Sequence, residues 1–249
     1  MTPDALLELF AETSTAVRDA VRAIEREALR DRTQKAGQYA LDLVADEAAA
    51  AVLTKAPVHI VSEESERHEH PGSQITVVID PIDGSTNCAR GIAYWCTSLC
   101  ALDGDGPLAA MIVNHPTGAV AVATRGGGAT RDGVPLVPSS ATRLQDSVVA
   151  LGGFPNLRLF SKQTRMLGSI ALELVDVAAG GLDAHLDGGR WMAPWDYLGG
   201  VLICREAGAT VRDVRGEELV TAEATARRQL VAAGTAELAD AIQREVMGT

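Results

Sequence analysis

A chain of 249 residues can bury one large core, or two modest ones that share a wall. With 47% hydrophobic and 22% charged residues it has the composition of a globular protein, which excludes a disordered chain. A formal charge of -11 speaks against nucleic acid, where affinity comes from neutralising phosphates, and an acidic protein that handles phosphates needs metal ions to reverse the local field. The start, Met1-Thr2-Pro3-Asp4, has no basic stretch followed by an apolar one, and no apolar run is long enough to span a bilayer. A cytoplasmic protein without membrane partners is expected. Cys88, Cys96, Cys100 and Cys204 do not form a secreted disulfide framework; Cys96 and Cys100 flank apolar residues and read as buried thiols.

In chain order, residues 4–30 show a helical period through Leu6, Leu9, Phe10, Val17, Val21, Ile24 and Ala28. A loop with Lys35 and Gly37 leads to a second helix over 41–54, with Asp42, Asp46 and Glu47 near its start, where acids commonly serve the helix dipole. A short strand at 58–61 ends in Ser62-Glu63-Glu64-Ser65, and 67–72 reads as an exposed turn. Strands follow near 75–79, 94–102, 109–114 and 119–124, the last three as an antiparallel meander. Gly126-Gly127-Gly128 lacks the strand–loop–helix frame of a P-loop and reads as a surface loop. From Ser147 the pattern changes to strands at 148–151, 182–186, 211 and 230–233, alternating with helices at 156–167, 170–179, 195–207 and 236–246. The division expected is an α+β half over 1–140 and an α/β half over 141–249, joined near 138–146.

One stretch has no reading as plain structure. After the apolar run 75–79 comes Asp80-Pro81-Ile82-Asp83-Gly84-Ser85-Thr86-Asn87. Proline has no N–H to donate and glycine allows a tight turn, so two carboxylates are delivered to the end of a strand beside two hydroxyls. Hard cations such as Mg²⁺ prefer oxygen ligands, and this is how a site for phosphate chemistry would be mounted. Glu63 and Asp196 also lie at a strand end or a helix start, although a dipole cap explains Asp196 equally well on its own.

Together these residues resemble the inositol monophosphatase family of Mg²⁺-dependent, lithium-sensitive phosphatases. The stretch 80–87 matches its first signature, and Trp195-Asp196-Tyr197-Leu198-Gly199-Gly200, continuing through Glu206-Ala207-Gly208-Ala209, its second. The resemblance covers nearly the whole chain. It implies a layered αβαβα sandwich (α/β, with an α+β front half), two to three Mg²⁺ ions and a homodimer. Glu63, Asp80 and the Ile82 carbonyl would hold one ion; Asp80, Asp83 and Asp196 a second; Glu63 and waters a third, with Lys35 nearby. Ser85, where the family usually has threonine, would orient a nucleophilic water together with Asp46. Backbone N–H groups of Gly84 and Ser85, beside Thr86, would bind phosphate. Gly168 and Ser169 would lie against the substrate's hydroxyl-bearing ring. Asp187 would replace a glutamate that contacts substrate hydroxyls, at a different spacing from Asp196.

The sequence departs from the family around the substrate pocket: Cys88 replaces an aromatic, and Trp191 and Pro194 sit in a lengthened connection after Asp187. The activity implied is hydrolysis of a small polyol phosphate, inositol 1-phosphate by default. Fructose-1,6-bisphosphatase and histidinol-phosphate phosphatase are the alternatives within the class. A silent metal-binding relative is the alternative outside it.

Overall fold

A computed structural model describes residues 1–35, 37–153 and 161–248. Helix α1 (Pro3–Arg22) starts at Thr2, whose hydroxyl accepts the Ala5 N–H at 3.3 Å. It buries Leu6, Phe10, Val17 and Val21, one face at helical spacing. The expected continuation to residue 30 does not occur. The chain bends after Arg22 and forms a 3-10 turn at Ala28–Arg30. The bend keeps Ile24 and Leu29 against the same core as α1, and Arg30 Nε donates to the Ala89 carbonyl at 3.4 Å.

The elements that follow are α2 (Ala40–Leu53), β1 (His59–Ser62), β2 (Glu66–His68), β3 (Thr76–Asp83), the short α3 (Ser85–Arg90), β4 (Cys96–Asp103), β5 (Gly106–Asn114), β6 (Val120–Thr124), β7 (Gly128–Arg131) and β8 (Val134–Pro135). They form an eight-stranded sheet in the order β2-β1-β3-β4-β5-β6-β7-β8. Only β1 and β3 run parallel; every other neighbouring pair is antiparallel, so the expected meander is present and extends further than its three strands. Part of the turn expected at 67–72 is β2, which hydrogen-bonds the free edge of β1.

The second part of the chain supplies β9 (Val148–Gly152), β10 (Gln163–Arg165), α4 (Ile170–Ala178), β11 (Ala184–Asp187), α5 (Pro194–Ala207), β12 (Thr210–Asp213), β13 (Leu230–Ala233) and α6 (Ala236–Met247). Its sheet has the order β10-β9-β11-β13-β12. Of the helix expected over 156–167, residues 156–160 lie outside the described residues; over 161–167 there is no helix, and 163–165 is instead the edge strand β10, parallel to β9, because pairing satisfies a ladder of backbone groups that local pattern does not reveal.

Three apolar clusters set the layering. One joins α1 and α2 to one face of the large sheet. A second joins that sheet's other face to α4 and α5. The third places α6 on the far side of the small sheet. The order is α, β, α, β, α, as expected. Contact between α4 and α5 depends on Gly200, where a Cβ would lie 2.5 Å from Leu174 Cδ1. The glycine run at 126–128 is a turn whose Gly126 and Gly128 N–H groups each donate to the Glu206 carboxylate at 2.9 Å, so it grips an anion of its own chain. All four cysteines are free and buried. Among the described residues no helix is long and apolar enough to cross a membrane.

Candidate metal and phosphate site

The site is built on the end of β3. The β3–β4 register breaks between Asp80 and Asp83, where Pro81 offers no N–H. Two bonds hold the break in shape: Ile82 N–H donates to Asp80 Oδ1 at 2.9 Å, and Thr97 Oγ1 donates to the Pro81 carbonyl at 2.8 Å. Gly84 then takes φ +96°, and a Cβ there would stand 3.1 Å from both the Gly168 carbonyl and Trp95 Cβ. Both the turn and the close approach demand glycine. Ser85 opens α3, and its hydroxyl donates to the Ile82 carbonyl at 2.9 Å. That carbonyl keeps a second lone pair.

Glu63 follows the last residue of β1, which is parallel to β3 and ends beside it. Asp196 arrives from the first turn of α5, where its Oδ2 accepts the Ala193 N–H at 2.6 Å. The cap read from sequence is real, and the same carboxylate also faces the cluster. Burial pushes Glu63 up to about 7, with the Glu64 and Asp42 charges adding to the rise. Burial likewise pushes Asp80 well above the carboxylate range, with Glu63, Asp83 and Asp196 each raising it further. Asp196 is raised well above that range by burial, then by Glu63 and Asp83. Asp83 is pushed up to about 6 by burial, against the pull of bonds from Ser169 and Ala171.

Burial raises all four acids, the charges of the other three raise Asp80 further, and among the described residues no lysine or arginine is a leading cause of these shifts. All the donors are hard oxygens, the set that suits Mg²⁺. Among the described residues no three His, Cys, Asp or Glu side chains converge at ligand spacing, so gathering the acids onto a cation takes side-chain rotation within the cluster.

Several expected roles change. Asp46 does not face Ser85: its Oδ1 accepts the Ser62 hydroxyl at 2.5 Å. Asp42, one helical turn earlier, stands there instead. Its Oδ2 accepts the Tyr39 N–H at 2.8 Å, and its buried Oδ1 has no hydrogen-bond partner among the described residues. Burial raises the Asp42 pKa, while the nearby Ser85 hydroxyl favours the ionised form. Sequence pattern could not choose between two acids four residues apart on one helical face; only the entry angle of α2 decides.

Ser169 is fully buried, and its hydroxyl donates to Asp83 Oδ2 at 2.7 Å; it is a tether for that acid and is not open to a substrate. Asp187 is also fully buried, bonded to His185 Nε2 at 2.9 Å and to the Leu230 N–H at 2.9 Å, so it is not placed to meet substrate hydroxyls. In both cases the layer of α4 and the small sheet closes over the side chain. Lys35 pairs with Glu64 at 3.2 Å, and Gln38 Nε2 donates to the same carboxylate oxygen. Thr86 is exposed, and the Tyr39 hydroxyl donates to its Oγ1 at 3.4 Å. Gly168 is exposed opposite Gly84.

Three residues went unnoticed in the sequence. Asn87 Nδ2 donates to the Tyr94 carbonyl at 2.7 Å and the Leu167 carbonyl at 2.8 Å, stapling the first motif to the loop before α4. Its place inside the signature was a signal. Glu173 and His185 left none, because each sits in an apolar helix or strand. Asn87→Leu should lower stability by about 1–3 kcal/mol, since two carbonyls lose their donor. A denaturant midpoint unchanged from the parent would show that the staple is idle.

The model of the inositol monophosphatase family matches residues 4–247. A fructose-1,6-bisphosphatase/inositol-1-monophosphatase of Methanothermobacter thermautotrophicus is 33% identical, covering 82% of this chain and 81% of that protein. Nus factor SuhB of Escherichia coli is 33% identical, covering 69% of this chain and 71% of that protein. Among solved structures, a Pyrococcus horikoshii protein with similarities to inositol-1 monophosphatase superposes with a TM-score of 0.84 at 27% identity, covering 97% of this chain and 96% of that one.

Proposed function

Because the chain belongs to the inositol monophosphatase family and is a phosphoric monoester hydrolase, we propose that it is a Mg²⁺-dependent phosphomonoesterase for a small polyol phosphate, with inositol 1-phosphate the first substrate to try. The observation that supports this most is the cluster of Glu63, Asp80, Asp83 and Asp196, four acids all raised by burial and centred on Asp80, which the other three raise further, with no protein cation among the leading causes. Glu63, Asp80, Asp83, Asp196 and the Ile82 carbonyl would hold two to three Mg²⁺ ions. Bound there, the metal would lower the pKa of water and offset the charge of a phosphate dianion.

The chain's own groups would do the rest. Ser85 and Asp42 would orient the attacking water, with the unpartnered Asp42 Oδ1 as acceptor for its proton. The first N–H groups of α3, which have no intrahelical partner, would bind phosphate oxygens at Gly84 and Ser85. Gly168 would border the leaving alcohol, and Lys35 would act through Glu64 at the rim. No protein nucleophile is required. The reading includes a cytoplasmic homodimer with no nucleic-acid or membrane partner.

Fructose 1,6-bisphosphate is the second substrate, favoured by the named activity of the 33% identical relative. The test is phosphate release from inositol 1-phosphate, fructose 1,6-bisphosphate, histidinol phosphate and 3′-phosphoadenosine 5′-phosphate, with Mg²⁺ and with and without Li⁺. Release from one of the first three, dependent on Mg²⁺ and suppressed by Li⁺, is expected. No release from any would favour a silent, partner-binding relative.

The reassignment of Asp46 has its own check. Asp42→Asn should lower kcat by about a hundredfold, the usual worth of a positioned base. Asp46→Ala should leave kcat near the parent's and lower stability by about 1–3 kcal/mol through the lost Ser62 bond. The reverse order in initial-rate assays would restore Asp46.

A further inference from the structure

Glu173, His185 and Asp187 lie behind the cleft, fully buried, with no part in the chemistry above. His185 Nδ1 is 2.8 Å from Glu173 Oε2, and Nε2 is 2.9 Å from Asp187 Oδ1. The other Glu173 oxygen accepts the Leu167 and Gly168 N–H groups at 2.9 and 3.2 Å. The other Asp187 oxygen accepts the Leu230 N–H. Both carboxylates are therefore acceptors throughout, both ring nitrogens donate, and the ring is an imidazolium between two acids. Burial works against that charge, but Asp187 and then Glu173 outweigh it and push His185 up to about 10. An apolar side chain would fill position 185 at less desolvation cost. What the histidine adds is direction.

The loop that Glu173 grips meets the first motif at three points. Ser169 Oγ donates to Asp83, Asn87 Nδ2 donates to the Leu167 carbonyl, and the Gly168 carbonyl backs the turn at Gly84. Resting on the phosphatase reading above, we propose that His185 is a positioning residue: by fixing Glu173 it holds loop 167–169, so that Ser169 stays on Asp83 and Gly168 stays against the phosphate turn. It touches neither substrate nor metal. Without its two N–H groups Glu173 loses its orientation, the Leu167 and Gly168 amides lose their acceptor, and the tether on Asp83 loosens.

The test compares His185→Leu, His185→Gln and Glu173→Gln in the full chain. Glu173→Gln keeps an oxygen for the two loop amides, and its NH2 donates to His185 Nδ1 once the ring gives up that proton and stays bonded to Asp187 through Nε2–H. The first readout is amide exchange at Leu167 and Gly168 in metal-free protein, with β4 amides as the reference. The second is the Mg²⁺ half-saturation of phosphate release, alongside Mg²⁺ affinity by calorimetry. His185→Leu should speed exchange at both loop amides about tenfold relative to β4 and raise the Mg²⁺ requirement by about tenfold, the range seen when a ligand's supporting partner is lost. His185→Gln, which keeps one donor and serves if the leucine variant does not fold, should fall between that and the parent. Glu173→Gln should change both by less than about threefold, because the acceptor remains.

A purely structural histidine would lower the melting temperature and leave exchange at the two amides and Mg²⁺ affinity within twofold of the parent; that result overturns the proposal. Should the parent release no phosphate from any ester, the reading of function falls, while exchange and calorimetry still decide the role of His185.

Discussion

Asp80→Asn should reduce phosphate release by at least about a thousandfold, because it removes the acid common to both proposed metal sets and the charge stabilisation they would provide. Asp80 is the acid that Glu63, Asp83 and Asp196 all raise, so it stands at the centre of the repulsion. Stability should move the other way. Replacing a buried, repelled carboxylate with a neutral amide relieves the cluster, so in EDTA the variant should melt no lower than the parent. Added Mg²⁺ should then raise the parent's melting temperature and barely move the variant's. Near-parental turnover by Asp80→Asn would remove the metal reading at its root. A large loss of both turnover and metal-free stability would mean that the residue is structural.

The pH dependence of the metal-free protein is the second large effect. Each acid of the cluster keeps its proton to higher pH in the folded chain than in the unfolded one. The folded state therefore binds more protons across that interval, and stability falls as pH rises through it. For Glu63 the interval runs from 4.5 to about 7, and for Asp83 from 3.8 to about 6. Glu63 alone is worth on the order of 3 kcal/mol over its interval. In EDTA the protein should be more stable near pH 5 than near pH 7.5. Saturating Mg²⁺ should reverse that order, since the ion binds the ionised acids and releases their protons. Urea midpoints at the two pH values, with and without Mg²⁺, measure this. A metal-free midpoint that rises toward pH 7.5 would show that the acids are solvated and not massed together.

The partners of the motif explain why some roles were legible and others not. Asp80, Pro81, Asp83 and Gly84 lie within five residues, and the limits of proline and glycine act locally, so the strand end and its two acids follow from the sequence. Asp42 and Asp46 lie four apart on one helix, and propensity treats them alike. Ser169 and Asp187 owe their expected substrate contacts only to the family resemblance, which carries no information on their burial in this chain. Their burial depends on how α4 and the small sheet close over them.

What the sequence by itself determined is most of the helices and strands, through their periods, and, through its two signatures and the family they resemble, the αβαβα layering and the chemical kind of the site. The tertiary structure decided which groups face one another. Asp42 and not Asp46 stands by Ser85, Ser169 binds an acid and not a ligand, and an imidazolium ties the cleft loop to the rear sheet. The reason is one of range. Local sterics and apolar period act over a few residues, whereas a hydrogen bond such as Ser169 to Asp83 joins residues 86 apart, and its direction exists only once both layers have packed.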